Sequence, residues 1–327
     1  MRDKKFQFLF FLVISFGFKV EILHAQQSSQ YSLFHIDQHV VNPAYAGIEP
    51  ELTLTGLFRN QWIGLAGSPA DQLISLNAPI IPEFAGMGLL IENDRLGLEQ
   101  NINIGVSYAQ HIYLSGQSSL SAGLRATYGR KVLDGSKIVT PDGEYEPGTV
   151  PDHKDGILPT TNVSGNNLGV GLGLLLKFKE FELGAGVDDI MQGKYVFPGL
   201  TIRRESTYYA SVGWDRSLNE ILRLGIVGML RSSSEQFQSD IVVKLSIKNN
   251  IFVAGSFRGY NNRTIDAATI GGGFRVFENL IIYGAYDLGM SNLKTSHSGT
   301  TEFGLKYTYG NKIFKRKLPS VIFNTRY

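Results

Sequence analysis

The feature that most constrains this chain is a period of two. From Glu51 to Tyr309, apolar and polar side chains alternate through one short segment after another. In 119–129, Leu120, Ala122, Leu124, Ala126 and Tyr128 share one face; Ser119, Ser121, Gly123, Arg125, Thr127 and Gly129 share the other. In 300–309 the division is Thr301, Phe303, Leu305, Tyr307 and Tyr309 against Thr300, Glu302, Gly304, Lys306 and Thr308. In 168–178, Leu168, Val170, Leu172, Leu174, Leu176 and Phe178 oppose Gly169, Gly171, Gly173 and Lys177. Successive side chains of a strand point to opposite faces, whereas a helical face repeats every 3.6 residues. The pattern is all-β.

Fourteen strands are expected: 51–59, 70–78, 85–93, 100–114, 117–130, 166–178, 180–189, 205–215, 220–232, 236–248, 250–259, 264–277, 279–290 and 299–309. Most match the about 9 to 11 residues with which a tilted strand crosses a bilayer. A soluble sandwich also alternates, so connection length has to decide. From a periplasmic start, the connections at one end are 79–84, 115–116, 179, 216–219, 249 and 278, all short. Those at the other end are 60–69, 94–99, 131–165, 190–204, 233–235, 260–263 and 291–298, which include every connection of eight or more residues. Outer-membrane barrels sort their loops in this way and sandwiches have no reason to. The expected fold is a transmembrane outer-membrane β-barrel of about 14 antiparallel strands over residues 51–310. Fourteen lies between small barrels filled by side chains and 16- to 18-stranded porins with a water channel. The Pro-, Gly- and Asp-rich loop 131–165 is the candidate to fold over or into the lumen.

The flanks carry other signals. Arg2, Lys4 and Lys5 precede an apolar run from Phe6 to Phe18 and a short stretch ending at His24-Ala25. That is a signal peptide over 1–25, its apolar run being shorter than the about 20 residues of a spanning helix. Residues 26–50 are polar and then turn-like, and are expected as a periplasmic N-terminal segment packed at the rim. Residues 311–327 form a basic periplasmic tail with five Lys/Arg and no acid, either solvated or a docking patch for an anionic partner. Alternatively, Val321, Phe323, Thr325 and Tyr327 supply a closing strand ending in an aromatic.

Composition narrows the chemistry. Beyond residue 25, Lys/Arg and Asp/Glu are equal in number, so nothing favours nucleic acid. The absence of cysteine excludes disulfides, thiolate metal sites and a cysteine nucleophile. His35 and His39 are four apart, a metal-binding spacing on a helix, but a third ligand is missing and coincidence is the better reading. Asp142, Glu144, Glu146, Asp152 and Asp155 could gather calcium, yet no EF-hand spacing is present. Gly169, Gly171, Gly173, Gly184 and Gly186 recur at every second residue, which lines a strand face and does not make a phosphate loop. No G-x-S-x-G elbow occurs. No enzyme activity, cofactor or metal is expected.

One stretch is more specific than the pattern. It runs through Asn42-Pro43-Ala44-Tyr45-Ala46-Gly47, Arg59 with Gln61 and Trp62, Gly67 with Pro69, Gly86 with Gly88, Asn93 with Asp94, and Gly97. These pieces, in this order and spacing, resemble the PorP/SprF family of type IX secretion and gliding-motility membrane proteins; Ala70-Asp71 depart from its usual threonine. The resemblance implies an outer-membrane partner through which a secreted protein with a C-terminal sorting domain, such as a gliding adhesin, reaches or stays on the cell surface. It also implies periplasmic peptidoglycan-binding and ring-forming components as partners, beside outer-membrane lipid. Asn42, Pro43, Tyr45, Gly47, Arg59, Gln61 and Trp62 are the candidate partner-binding residues. Trp62 has a structural alternative as an interface aromatic, and Arg59 as a lumen charge paired with Glu92 or Asp94. The competing function is a passive porin or outer-membrane solute transporter.

Overall fold

The computed structural model describes residues 30–309, apart from 82, 116, 147–149, 235, 249, 261–263 and 291–294. The expected signal peptide (1–25), basic tail (311–327) and alternative closing strand lie outside the described residues.

Fourteen antiparallel strands form a closed barrel. The first seven are β1 (Leu52–Asn60), β2 (Ala70–Ile81), β3 (Ala85–Leu96), β4 (Glu99–Ser115), β5 (Ser118–Asp134), β6 (Asn162–Phe178) and β7 (Phe181–Asp188). A small hairpin of β8 (Lys194–Phe197) and β9 (Leu200–Arg203) interrupts the series. The wall resumes with β10 (Thr207–Ser217), β11 (Leu222–Ser232), β12 (Phe237–Ile247) and β13 (Ile251–Tyr260). It ends with β14 (Thr264–Phe277), β15 (Leu280–Gly289) and β16 (Thr300–Tyr309). Each wall strand pairs with its neighbours in sequence, β7 pairing with β10 past the hairpin. The seam is β1 on β16, in register from Leu52↔Tyr309 to Asn60↔Thr301. Full closure leaves no sheet edge, which a bilayer interior requires because no water is there to satisfy an unpaired backbone.

Burial follows the period of two. In β5, Leu124 is 49% exposed on the outside while the next residue, Arg125, is 3% exposed inside. In β1, Leu54 and Phe58 face out; Thr53, Thr55 and Arg59 face in. The exposed apolar side chains form the lipid-facing exterior. Short connections such as that between Phe178 and Phe181 gather at one end, and the long ones at the other.

Strands β4, β5 and β6 have 17 residues each, more than a crossing needs, and project at the long-loop end. There Tyr195 and Phe197 of β8 pack with Leu133, Val163, Leu200 and Ile202. The loop after β5 folds on itself. Glu144 and Asp152 exchange backbone hydrogen bonds of 2.7 and 3.1 Å, and His153 Nε2 lies 3.0 Å from the carbonyls of both Gly135 and Pro159. Two of its acids, Glu144 and Asp152, hold Lys154 at 3.2 and 3.0 Å.

The described residues of that loop do not fill the lumen. The filling comes from Gln30–Gly47, the segment expected at the periplasmic rim. Its Tyr31, Leu33, Phe34 and Val41 are buried in one cluster with the inward side chains Leu57, Leu73, Leu90, Met229, Val242, Ala254 and Tyr283. A fourteen-strand lumen is too wide for its own side chains to fill, and these apolar residues lose their water by entering it.

The exterior gives the first prediction. Leu174 is 56% exposed on the lipid face of β6. Leu174→Arg is expected to destabilise the barrel by about 2–4 kcal/mol, the range for a cation near the bilayer midplane. The shift of the urea unfolding midpoint in lipid vesicles measures it.

Candidate functional site

The filling segment contains three short 3-10 turns, Phe34–Ile36, Gln38–Val40 and Pro43–Tyr45, and no longer element. Its backbone polar groups are satisfied partly within these turns, as by Ile36 N–H on Leu33 and Tyr45 N–H on Asn42, and partly by the barrel wall at two anchorages.

The first lies toward the long-loop end. The Glu302 carboxylate accepts the backbone N–H groups of Ser32 at 2.8 Å and Leu33 at 2.9 Å. Arg59 donates to Glu302 at 3.0 Å, to Asp287 at 2.7 Å and to the Ser32 hydroxyl at 2.9 Å. That hydroxyl donates to Asp287 at 2.8 Å and accepts from Arg258 at 3.2 Å, while Arg258 also meets Asp240 at 2.9 Å. Arg59 is 1% exposed. It is a lumen charge, but its partners are Asp287 and Glu302 in place of Glu92 or Asp94. Closure decides this, because the seam register sets Arg59 directly opposite Glu302.

The second anchorage is Asn42 to Gly47. Asn42 caps the Pro43–Tyr45 turn, its Oδ1 accepting from the Ala44 N–H at 2.9 Å, and proline at the first turn position has no N–H to satisfy. The Asn42 amide donates to the carbonyls of Leu174 at 3.1 Å and Ala185 at 3.3 Å, tying the turn to β6 and β7. Tyr45 donates to Glu182 at 3.0 Å. Gly47, at φ +66°, donates its N–H to Asn77 at 2.6 Å. The approach is so close that only glycine fits on the wall. A Cβ on Gly123 would stand 2.4 Å from the Ala44 nitrogen, and one on Gly86 2.3 Å from the Ala46 oxygen. The inward glycines thus make room for the chain itself.

Between the anchorages, Arg125 donates to the carbonyls of His39 and Val40. His39 Nδ1 lies 3.3 Å from the Ser75 hydroxyl, and His35 stands edge-on to Phe252. Both histidines belong to the luminal segment, not to a spanning strand. Burial pushes the His35 imidazole down to about 3, the Lys244 charge adding to the effect. His39 is pushed down too, by burial first and the Arg125 charge second.

The segment separates two chambers. The outer, of about 170 Å³, includes Gln30, Arg125, Asp189 and Arg204 in its lining. The inner, of about 640 Å³, reaches the short-turn end at Lys179 and Asn250. Of the seven candidate residues, Asn42, Pro43, Tyr45, Gly47 and Arg59 are buried in the lumen. Gln61 and Trp62 are half-buried in the β1–β2 loop. Trp62 donates its N–H to Thr300 at 3.2 Å and stacks obliquely beside His297. Ser32, Asp287, Glu302 and Arg258 were not singled out from sequence, since they meet only through closure.

A closed barrel with an apolar exterior and a lumen filled by its own N-terminal segment is an outer-membrane protein of the secretion and transport class. The sequence profile described as "Type IX secretion system membrane protein PorP/SprF" matches residues 23–307, and the chain belongs to that family. Among solved structures, the TodX deltaS2S3 mutant monoaromatic hydrocarbon channel is similar at TM-score 0.50 and 11% identity, covering 82% of this chain and 93% of that one. The Ralstonia pickettii toluene transporter TbuX is similar at TM-score 0.49 and 12% identity, covering 83% and 93%. At these identities the likeness concerns the fold alone. No curated protein matches in sequence.

The anchorages predict how the segment is released. Glu302→Ala removes both backbone contacts and half of the Arg59 pairing, a loss of about 3–5 kcal/mol for a broken buried pair. Gly123→Val forces Ala44 away from the wall. Both variants are expected to keep a folded, heat-modifiable barrel while chymotrypsin cleaves the segment at least about a hundredfold faster, the factor corresponding to roughly 3 kcal/mol.

A proton linkage follows from the histidines. Docked, both rings are neutral; free in water they titrate near 6.5, so the released segment binds more protons below that pH. Docking is at full strength above about pH 6.5 and weakens as pH falls from there toward about 3. Channel openings in planar bilayers are expected to be more frequent at about pH 5 than at neutral pH, and the double variant His35→Gln, His39→Gln to flatten that dependence.

Proposed function

We propose that this protein serves type IX secretion as a closed docking barrel and not as a conduit for solutes. The observation that carries the reading is the filled lumen, in which Gln30–Gly47 is bound to the wall through Glu302, Arg59, Asn42 and the inward glycines. On this reading a secreted protein with a C-terminal sorting domain, such as a gliding adhesin, is delivered to or held at the cell surface by contact with the barrel. Periplasmic peptidoglycan-binding and ring-forming components act at its inner side. Gln61 and Trp62, in a long loop tied to Gly299 and Thr300, offer that contact a rigid aromatic feature. Asn42, Pro43, Tyr45, Gly47 and Arg59 serve it indirectly by keeping the lumen shut.

The test compares the surface and secreted proteome of cells lacking the protein with those of the parent and a complemented strain. Selective loss of one sorting-domain cargo is expected. An unchanged surface together with altered uptake of small solutes would establish the porin reading instead.

A further inference from the structure

Two arginines stand on the lipid-facing side of the wall at its long-loop end. In β5 the outward positions run through Ala122, Leu124, Ala126 and Tyr128, and the next is Arg130. Ser118 to Tyr128 already supplies the about 9 to 11 residues of a crossing strand, so Arg130 lies just beyond the apolar band. In β3 the outward positions Met87, Leu89, Ile91 and Asn93 lead in the same way to Arg95. Pairing fixes how the two sit. Arg95 is opposite Gln100 of β4, and Gln100 is opposite Val132 of β5, one outward position above Arg130. The arginines are therefore two strand spacings apart, about 10 Å, and one two-residue step apart along the strand, about 7 Å.

Both side chains are exposed, and among the described residues no carboxylate lies within 4.0 Å of either guanidinium. Asp134, farther along β5 on the same side, is held by Lys137 at 2.7 Å. Side-chain amides surround the pair. Asn93 donates to Gln72 at 3.2 Å, Gln100 donates to Asn93 at 2.7 Å, and Asn166 of β6 is opposite Arg130. On the far wall the outward positions toward the same end, Tyr208, Ser232, Ser239, Leu288 and Thr301, are uncharged. The cations thus mark one sector and not a general belt.

A cation on the lipid face is tolerated near the interface, where an anionic headgroup can meet it. Guanidinium binds phosphate through paired N–H groups, and amides both donate to and accept from hydroxyls. The outer leaflet of an outer membrane is built of phosphorylated glycolipid, which presents phosphate and sugar hydroxyls together at this height. We propose that the outward face of β2–β6 binds the phosphorylated sugar headgroup of outer-leaflet lipopolysaccharide. Arg95 and Arg130 take its phosphate, the amides of Gln72, Asn93, Gln100 and Asn166 meet its hydroxyls, and Tyr128 lies against its acyl chains. This lipid site stands apart from the docking role and from the identity of any cargo.

Native mass spectrometry of the full mature chain in detergent tests this with three probes: phosphorylated lipid A, the same lipid A after phosphatase treatment, and phosphatidylglycerol. Phosphorylated lipid A is expected to bind at least about tenfold more tightly than either of the others, a difference of about 1.4 kcal/mol. The double variant Arg95→Gln, Arg130→Gln, its barrel checked by heat-dependent gel mobility, is expected to lose that preference. Arg216→Gln, at the short-turn end beside Glu180, is expected to keep it. Equal binding of lipid A with and without its phosphate overturns the proposal. So does phosphatidylglycerol binding as well as lipid A, or a preference that survives the double variant. The comparison of the three lipids on the unaltered protein decides even where the variant does not fold.

Discussion

A single carboxylate, Glu302 on the last strand, holds two backbone N–H groups of residues that precede the first strand. The docking of the lumen filling depends on this contact. Glu302 sits on the seam opposite Arg59, so the residue that fastens the lumen filling also pairs across the closure of the wall. Removing a charge from such a buried network leaves its partner uncompensated, and the resulting penalty falls on seam and filling together. A barrel of this width needs both, since an unclosed sheet exposes edges to lipid and an unfilled lumen admits water.

The filling achieves its fit without regular structure. A helix would carry its hydrogen bonds internally and could be packed by apolar contact alone. This chain closes part of its bonding within its own 3-10 turns and borrows the rest from the wall, where strand backbones supply partners only at close range. This is why the wall is glycine where the Asn42–Gly47 turn crosses it, and why Asn42 reaches main-chain carbonyls on two strands. Sequence conservatism of shape, not of charge, is what such a contact demands: one methyl group on Gly86 or Gly123 would overlap the segment.

The wall was legible in the sequence because strand alternation is local. Leu124 and Arg125 declare opposite faces by adjacency, and the sorting of short and long connections follows from counting. The lumen was not legible, for a reason of distance. Ser32 and Glu302, or Arg59 and Asp287, meet only after the ring has closed, so sequence alone offers Glu92 and Asp94, acids far closer along the chain, as partners for Arg59. Residues 30–47 show no helical or strand period, which leaves composition as their only signal. Two clues were present: Tyr31, Leu33, Phe34 and Val41 are more apolar than a rim segment needs, and the inward faces of β3, β5, β6 and β7 carry glycines where a lumen without another occupant would need bulk.

The direction of the filling segment has a consequence for biogenesis. Gln30 borders the outer chamber, whereas Glu49 is held by Lys306 near the opposite end, so the chain descends the lumen before turning back up as β1. A ring already zipped shut would have to be threaded lengthwise by eighteen irregular residues. Because the segment runs directly into β1, one side of the β1–β16 seam, it can instead lie against the concave side of a still-open sheet and be enclosed as those two strands meet. Enclosure at the seam avoids that threading.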